Sequence, residues 1–502
     1  MNHFKKLFSV SMCIFLCAAM VFVSSSTAFA SQRELPSTVP QIRVVTKDGN
    51  GTKLNKADGY VDAEISIADG DDKLEDSVQF KVRGNTTAMT SILKKAFTFK
   101  FDKKKNVLGM GSGKKWALVA NSFDPTLLRN YVAFDFAHEL EIPFTSDQRY
   151  VELWVDDSYR GCYTLYEPVQ QGKDRVNIDI DGNDGKKDFL VEFEAQRVEE
   201  DVVYFTVDGL RFIASEPETP DEEQLGYISS TMLDIINTLK NGTKEEVAEK
   251  VDLSSFVKYY LLNEYVKTFD FDMSSVYFYY KDGRLYAGPP WDYDLSAGNI
   301  NGDLISQRYK NANLTDIIGA NKNLFSYIFD KPWFISMVAE EYYACKSYIS
   351  DIYADGGFMD TVKSAYRNVF NDNFTKTEWK VNKWWINIQK KPLPTYEENY
   401  EYLKNWYRER HEWLDTYLGE YITEYILGDA DNNGTVNIDD VTVIQRKIAG
   451  LESCDENFDL RSTLTENELS VNDATLLQRV LACYENEWHV GETKAIFNTK
   501  LK

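Results

Sequence analysis

Trp291-Asp292-Tyr293-Asp294 sets two carboxylates two residues apart, after a Gly288-Pro289-Pro290 turn and before Gly298-Asn299. Phe269-Asp270-Phe271-Asp272 repeats that spacing upstream. Hard cations such as Mg2+ or Mn2+ take carboxylate oxygens and share the rest of their shell with phosphates. Asp270, Asp292 and Asp294 are therefore candidate metal ligands, with the Asn299 amide close by. In the first half, Arg83-Gly84-Asn85-Thr86-Thr87 joins a cation, a permissive backbone and side-chain donors, and Lys94, Lys95 and Lys100 follow. A basic turn facing an acidic one is what a nucleoside triphosphate and its metal need. Taken singly, each string is more often a pair of surface acids or a solvated cation.

A further set lies near the C-terminus. Asp429, Asp431, Asn433, Asn437 and Asp440 fall at positions 1, 3, 5, 9 and 12 of a calcium loop, with Gly434 at 6 and the Thr435 carbonyl at 7. Asp440 is shorter than the usual Glu, and no helix precedes the loop, although residues 441–448 read as a helix after it. That helix returns 33 residues later, where Asp473-Ala474-Thr475-Leu476-Leu477-Gln478-Arg479 copies Asp440-Val441-Thr442-Val443-Ile444-Gln445-Arg446. The copied loop reads Ser462, Leu464, Glu466, Asn467, Ser470, Asp473, with an apolar side chain at position 3 and Asn in place of Gly. The first loop is expected to hold Ca2+ better than the second. This duplicated loop–helix unit resembles a dockerin, the module that plugs an enzyme into a cohesin on a cellulosomal scaffold. The resemblance implies Ca2+ and a cohesin partner.

The elements that must position these residues follow from pattern. Lys5-Lys6, an apolar run over 7–23 and Ala28-Phe29-Ala30 read as a cleaved secretory leader over 1–30, so the chain is expected to be secreted and extracellular; the dockerin resemblance implies a place at the cellulosome or cell surface. No other stretch is long and apolar enough to span a bilayer. A net charge of −23 argues against nucleic acid or an anionic membrane as the main partner. Past the leader, Cys162, Cys345, Cys454 and Cys483 are too few for a disulfide framework, though Cys454 and Cys483 follow the two repeat helices and could be bridged. His138, His411 and His489 have no Ser, Cys or ligand-like neighbour, so a histidine-dependent triad is not indicated. The body over 31–425 reads as α+β, with short strands from Gln41 onward and a helical period beyond Glu222, interrupted by a strand pair at 276–280 and 284–286. A β-rich first half and a helix-rich second half would suit two lobes with a cleft between them. A small all-α unit over 426–490 and a tail over 491–502 complete the chain.

In order, Arg83-Gly84-Asn85-Thr86-Thr87, Lys95-Ala96-Phe97-Thr98-Phe99-Lys100, Lys115-Trp116-Ala117-Leu118-Val119-Ala120-Asn121, Asp124-Pro125 through Arg129-Asn130, Gly161 through Tyr166-Glu167, and Pro290-Trp291-Asp292-Tyr293-Asp294 through Gly298-Asn299 resemble the CotH kinase family over about 40–420. The resemblance implies a divergent protein-kinase-like fold, ATP with a divalent metal, and phosphoryl transfer to Ser or Thr of proteins. It makes Asp292 the principal metal ligand and Asp270 the catalytic acidic residue, with Asp272 the alternative. Arg83, Lys95 and Glu167 would serve the nucleotide side. The family often has Asn two residues before the catalytic Asp, where this chain has Thr268, and no P-loop, HRD or DFG string is present. A carbohydrate-active hydrolase needs only two carboxylates and stays open beside this reading, as does an inactive binding or structural component. Trp291, Trp384 and Trp385 could stack on sugars, although packing is the commoner fate.

Overall fold

A computed structural model describes residues 35–36, 38–181, 187–195, 202–302, 313–318, 323–376, 389–465 and 468–498. The expected leader, Trp384, Trp385, Glu466 and Asn467 lie outside them. The chain divides into a body, Arg33–Leu418, and a C-terminal unit from Gly419.

The body begins with β1 (Gln41–Thr46), β2 (Val61–Asp69), β3 (Asp72–Arg83), β4 (Ala96–Asn106) and β5 (Ser112–Val119). Helix α1 (Arg129–Glu139) then precedes β6 (Gln148–Val155) and β7 (Ser158–Tyr166). These seven strands close into a barrel in the order β1-β2-β3-β4-β5-β7-β6. Period-two alternation drives the inward faces: Ile42 and Val44 on β1, Phe80 and Val82 on β3, and Phe97, Phe99 and Phe101 on β4 are all buried. Phe80 and Phe97 stack with centroids 4.7 Å apart, and burying such a ring contributes about 1.5–3 kcal/mol. The register that pairs Arg83 with Ala96 puts Arg83 at the rim, where the hairpin opens into residues 84–95.

A second sheet, order β12-β11-β8-β10-β9, comprises β8 (Phe189–Phe193), β9 (Tyr204–Val207), β10 (Leu210–Glu216), β11 (Val276–Lys281) and β12 (Arg284–Ala287). Between β10 and β11 run α2 (Glu222–Asn241), α3 (Lys244–Lys250) and α4 (Leu253–Val266). Asp252 caps α4 by accepting from Ser255 N at 2.7 Å, as its position before the apolar run requires. Helix α4 is buried almost all round and ends at Lys267 in the left-handed region, φ 51°. Helices α5 (Pro332–Tyr353), α6 (Phe358–Thr375) and α7 (Tyr396–Gly419) complete the body. The expectation of a β-rich first half and helices later holds. The strands β9 and β10 were not anticipated.

The C-terminal unit carries β13 (Ile422–Ile426), α8 (Ile438–Ile448), α9 (Phe458–Ser462), α10 (Val471–Leu481) and β14 (Thr493–Phe497). It is not all-α: β14, in the stretch expected to be a tail, pairs antiparallel with β13, and the helical pattern expected to run to about 426 gives way to that strand. Val441, Ile444, Phe458, Ala474 and Leu477 form its core. Cys454 keeps a free thiol, so a bridge to Cys483 is not formed. Among the described residues, no helix is long and apolar enough to cross a membrane.

One buried charge network braces the end of α4. Arg410 on α7 is fully buried, pairs with Glu264 and donates to the Asp316 carbonyl at 3.1 Å. Lys267 Nζ lies 3.8 Å from Glu264. Removing one partner of a buried pair leaves an uncompensated charge. Arg410→Ala is therefore expected to lower unfolding free energy by about 3–5 kcal/mol in urea titrations; a loss under about 1 kcal/mol would show that water replaces the guanidinium.

Candidate active site

The expected acids do meet. Asp270, Asp292 and Asp294 line one cavity of about 330 Å3 together with Arg83, Asn85, Glu192 and Trp291. Asp270 sits in the single turn Phe269–Asp272 that follows α4. Asp272 is not among the lining residues. Asp292 adopts φ 68°, an uncommon conformation for a residue with a Cβ, so its surroundings must hold it there.

Those surroundings come from the start of α1. Asn130 Oδ1 accepts from Tyr293 N at 2.8 Å. Arg129 donates to the Ser296 carbonyl at 3.0 Å and to the Ala297 carbonyl at 3.2 Å. Asp124 holds Arg129 in turn, at 2.6 Å, with both side chains buried, and also accepts from Arg129 N at 2.8 Å. Asp124 thus closes the start of α1 with its side chain. The Asp270 turn is laced to the same segment by Phe269 N on the Leu295 carbonyl, 3.0 Å, and by Ala297 N on the Val266 carbonyl, 2.7 Å. Asn299 is a brace as well: its Nδ2 donates to the carbonyls of Asp294 and Phe123, each at 2.7 Å, and it does not line the cavity.

Electrostatically the site is divided. Burial, and then the charges of Asp292 and Asp270, hold the Asp294 carboxyl well above the usual carboxylate range. Arg83 supplies the opposite sign. Burial lowers its pKa while Asp292 opposes that shift, and its guanidinium lies 5.0 Å from the Trp291 ring centroid. Gly84 beside it has φ 83°, and a Cβ there would come 2.1 Å from Thr87 Oγ1, so the turn requires glycine. Asn85 lines the cavity while its Oδ1 accepts from Lys56 Nζ.

Two of the basic and acidic candidates stand elsewhere. Lys95 Nζ donates to the Ala88 carbonyl at 3.0 Å and fastens the 84–95 loop from behind; Lys94 is buried, donating to the Ala120 carbonyl at 2.7 Å. Glu167 lies beside Arg175, Oε1 to Nε 3.4 Å, because it follows Tyr166 on a strand whose successive side chains alternate in direction. Glu192 is a cavity residue that sequence reasoning passed over. It sits on β8, accepts from Ser275 N at 3.2 Å, and burial pushes its carboxyl up to about 7. The available signal was a carboxylate in the otherwise apolar run Phe189-Leu190-Val191.

Three acidic residues gather in the C-terminal unit too. Asp429, Asp431 and Asp440 each offer an oxygen within 4.8 Å of the others. Gly434 N donates to Asp429 Oδ2 at 2.9 Å and Asn437 N to Asp440 Oδ2 at 2.7 Å. Asn433 Oδ1 accepts from Thr435 N at 2.9 Å, and Asn437 Oδ1 from Asp439 N at 2.7 Å, as the cap of α8. In the copy, Asp473 takes the place of Asp440: Oδ1 accepts from Leu464 N at 2.8 Å and Oδ2 from Ser470 N at 2.8 Å.

A mixed α+β body with an acidic, arginine-bordered cavity is the class of protein these features define. The model of the CotH kinase protein family matches residues 80–414, more than half of the chain, and the chain belongs to that family. Membership suggests an atypical kinase, and with it ATP and a divalent metal. The cavity fits such a metal: Asp270, Asp292 and Asp294 line one space, and carboxylate oxygens are the donors a hard cation takes. No curated protein matches the chain.

The Glu167 carboxyl carries a pH signature. Burial pushes it up to about 7, against the pull of Arg175, whereas an unfolded Glu titrates near ~4.3. Between those values the folded chain keeps a proton that the unfolded chain has released, so stability falls as pH rises through the window. Glu167→Gln is expected to flatten that fall, read as urea midpoints at pH 5 and pH 8. An unchanged pH slope would mean that Glu167 ionises normally in the folded chain.

Proposed function

We propose that the body is an atypical, kinase-like enzyme that transfers the γ-phosphoryl group of ATP to a Ser or Thr hydroxyl of a protein. The observation that carries this reading is the meeting of Asp270, Asp292, Asp294 and Arg83 in one cavity. Asp292 is the principal ligand for Mg2+ or Mn2+, with Asp294 and Asp270 beside it. The bound metal supplies charge neutralisation for the transferring phosphates. Asp270 accepts the proton of the attacking hydroxyl as its oxygen bonds to the γ-phosphorus and the bridging P–O bond to ADP breaks. Arg83 faces the phosphate oxygens from the rim of β3, and the Gly84 turn brings backbone close to them. Trp291, held under Arg83, and Tyr166 offer aromatic wall to the rest of the nucleotide.

The same proposal places the protein outside the cell. The pattern of residues 1–30 supports secretion, and the loop pattern of 429–440, with its converging carboxylates, supports Ca2+ binding by a dockerin-like module that docks a scaffold cohesin. In that module Asp429, Asp431, Asn433, Thr435, Asn437 and Asp440 surround the ion, and Ca2+ relieves the repulsion that close carboxylates impose on one another.

Asp292→Asn keeps volume and removes charge, so it is expected to lower Mn2+-dependent phosphate transfer from labelled ATP at least ~100-fold, about 2.7 kcal/mol of transition-state stabilisation. Asp270→Ala should cost a similar factor and Asp272→Ala much less. Retained transfer in Asp292→Asn would remove it as principal ligand. Sugar release from plant polysaccharide without any response to ATP would replace the kinase reading by a hydrolase.

Calcium is expected to order the C-terminal unit and chelator to unfold it, followed by circular dichroism and by cohesin binding. Asp429→Ala should weaken cohesin binding more than Ser462→Ala, because only the first loop carries a full oxygen set. Equal losses, or a unit that stays folded and binding-competent in excess chelator, would overturn that asymmetry.

A further inference from the structure

The alternation that fills the barrel also decides what its outer face carries. Phe80 and Val82 point inward on β3, so Lys81 and Arg83 point out. Phe99 and Phe101 leave Lys100 outside on β4, and Trp116 leaves Lys115 outside on β5. Arg83, Ala96 and Val119, all at outward positions, line the acidic cavity. The cavity therefore lies against this outer face, and the lysines continue the face away from its rim. From Ala96 to Lys100 the strand rises about 13 Å, the reach of some four residues of extended peptide. Lys100 stands directly opposite Lys115 in the register of β4 and β5, and like charges paired across strands cost stability. Lys81 lies 4.4 Å from the Tyr60 ring centroid. Burial lowers its pKa, and Lys115, Lys56 and Arg83 lower it further against the pull of Glu218. Lys56 Nζ donates to Oδ1 of Asn85, itself a cavity residue. Glu218 lies 3.8 Å from Lys115 and is mostly exposed, and toward β2 the band ends at Asp62, opposite Gln79. Cations thus gather beside one cavity in a chain whose net charge is −23.

We propose that this lysine band seats an acidic segment of the protein substrate, with Asp or Glu residues flanking the Ser or Thr that enters the cavity. The proposal rests on the kinase reading above and adds the class of substrate. An acidic peptide is repelled by most of so acidic a surface, and the band supplies the local field that draws it to one face. Its carboxylates offset the repulsion between Lys100 and Lys115 and that among Lys81, Lys56 and Arg83. Lysine suits the task, because an ammonium on a flexible stem follows carboxylates at varied positions without the fixed fork of arginine.

The test measures phosphate transfer by the full chain, from labelled ATP with Mn2+, to synthetic peptides that share a central Ser and carry Glu, Gln or Lys around it. The wild type is expected to use the Glu peptide with a kcat/KM about tenfold above that for the Gln peptide, through KM, and the gap should shrink as salt is added. Lys81→Gln combined with Lys115→Gln is expected to cut that preference about fivefold, leaving the KM for ATP and the use of the Gln peptide unchanged. If this double variant loses its thermal transition, Lys100→Gln with Lys115→Gln takes its place with the same expectations. Equal use of the Glu and Gln peptides by the wild type would overturn the inference, as would an undiminished preference in the double variant. A KM for ATP raised with every peptide would put these lysines on the nucleotide and overturn it too. Fluorescence anisotropy of a labelled Glu peptide separates the two readings. Binding that the double variant loses, with no transfer to any peptide, removes the kinase reading and keeps the acidic-peptide surface. Binding of polygalacturonate without binding of the Glu peptide would overturn the inference in favour of an acidic polysaccharide.

Discussion

The cavity depends on one buried ion pair. Asp124 and Arg129 meet at 2.6 Å with almost no solvent around either side chain. The pair is not isolated, since Asp124 also accepts from Thr126 N at 2.9 Å and from Arg129 N at 2.8 Å. Arg129 spends its remaining donors on the carbonyls of Ser296 and Ala297. Desolvating two charges is costly, and such a pair is tolerated when every donor and acceptor finds a partner. What it secures is geometry: the 292–299 segment has no regular secondary structure to hold it, and Asp292 must keep a left-handed backbone. Helix α1, packed between barrel and acids, is the rigid element from which that segment hangs.

Like charges set the second constraint. Asp294 is buried, and its neighbours Asp292 and Asp270 push its carboxyl upward with the burial itself. A fold that crowds carboxylates in this way gives up stability locally, which is the usual mark of a site shaped for a cation or a proton. Arg83, whose guanidinium lies over Trp291, offsets part of that charge through Asp292. The opposed signs thus face one cavity from two sides. A polyanion with its metal answers both halves at once.

Much of this was legible, and the failures have a common cause. The strands from Gln41, the helical period beyond Glu222, the strand pair at 276–286 and the acidic segments are local features, written in neighbouring residues. The closure of the barrel is not local: β1 pairs parallel with β6, joining Ile42 to Leu153 across more than a hundred residues, and no pattern in either strand announces the other. Glu192 was missed for the same reason. It becomes a cavity residue only because β8 lies beside β11, where Tyr277 faces it. Lys95 and Glu167 were placed on the cavity by motif order alone. The hairpin register turns Lys95 to the back of its own loop, and alternation at the end of β7 sends Glu167 past Tyr166. Asn130 and Arg129 were visible in the sequence, but nothing in it distinguished residues that brace a site from residues that line it.

The two halves of the C-terminal unit show which part of a repeat is structural and which is spare. Asp440 and Asp473 do the same backbone work, accepting from residues two to four positions into each loop and from the capping residue of the following helix. Both helices then deliver matching apolar side chains, Val441 and Ile444 beside Ala474 and Leu477, to one core. Fold and ligand oxygens are therefore separable. In the second loop Ser462 and Leu464, both buried, stand where the first has Asp429 and Asp431. The first loop has kept three acids in reach of one another, and burial raises the Asp440 carboxyl. The duplication therefore keeps the aspartate that ties each loop to its helix, while the carboxylates at the first and third loop positions are present in one copy and replaced in the other.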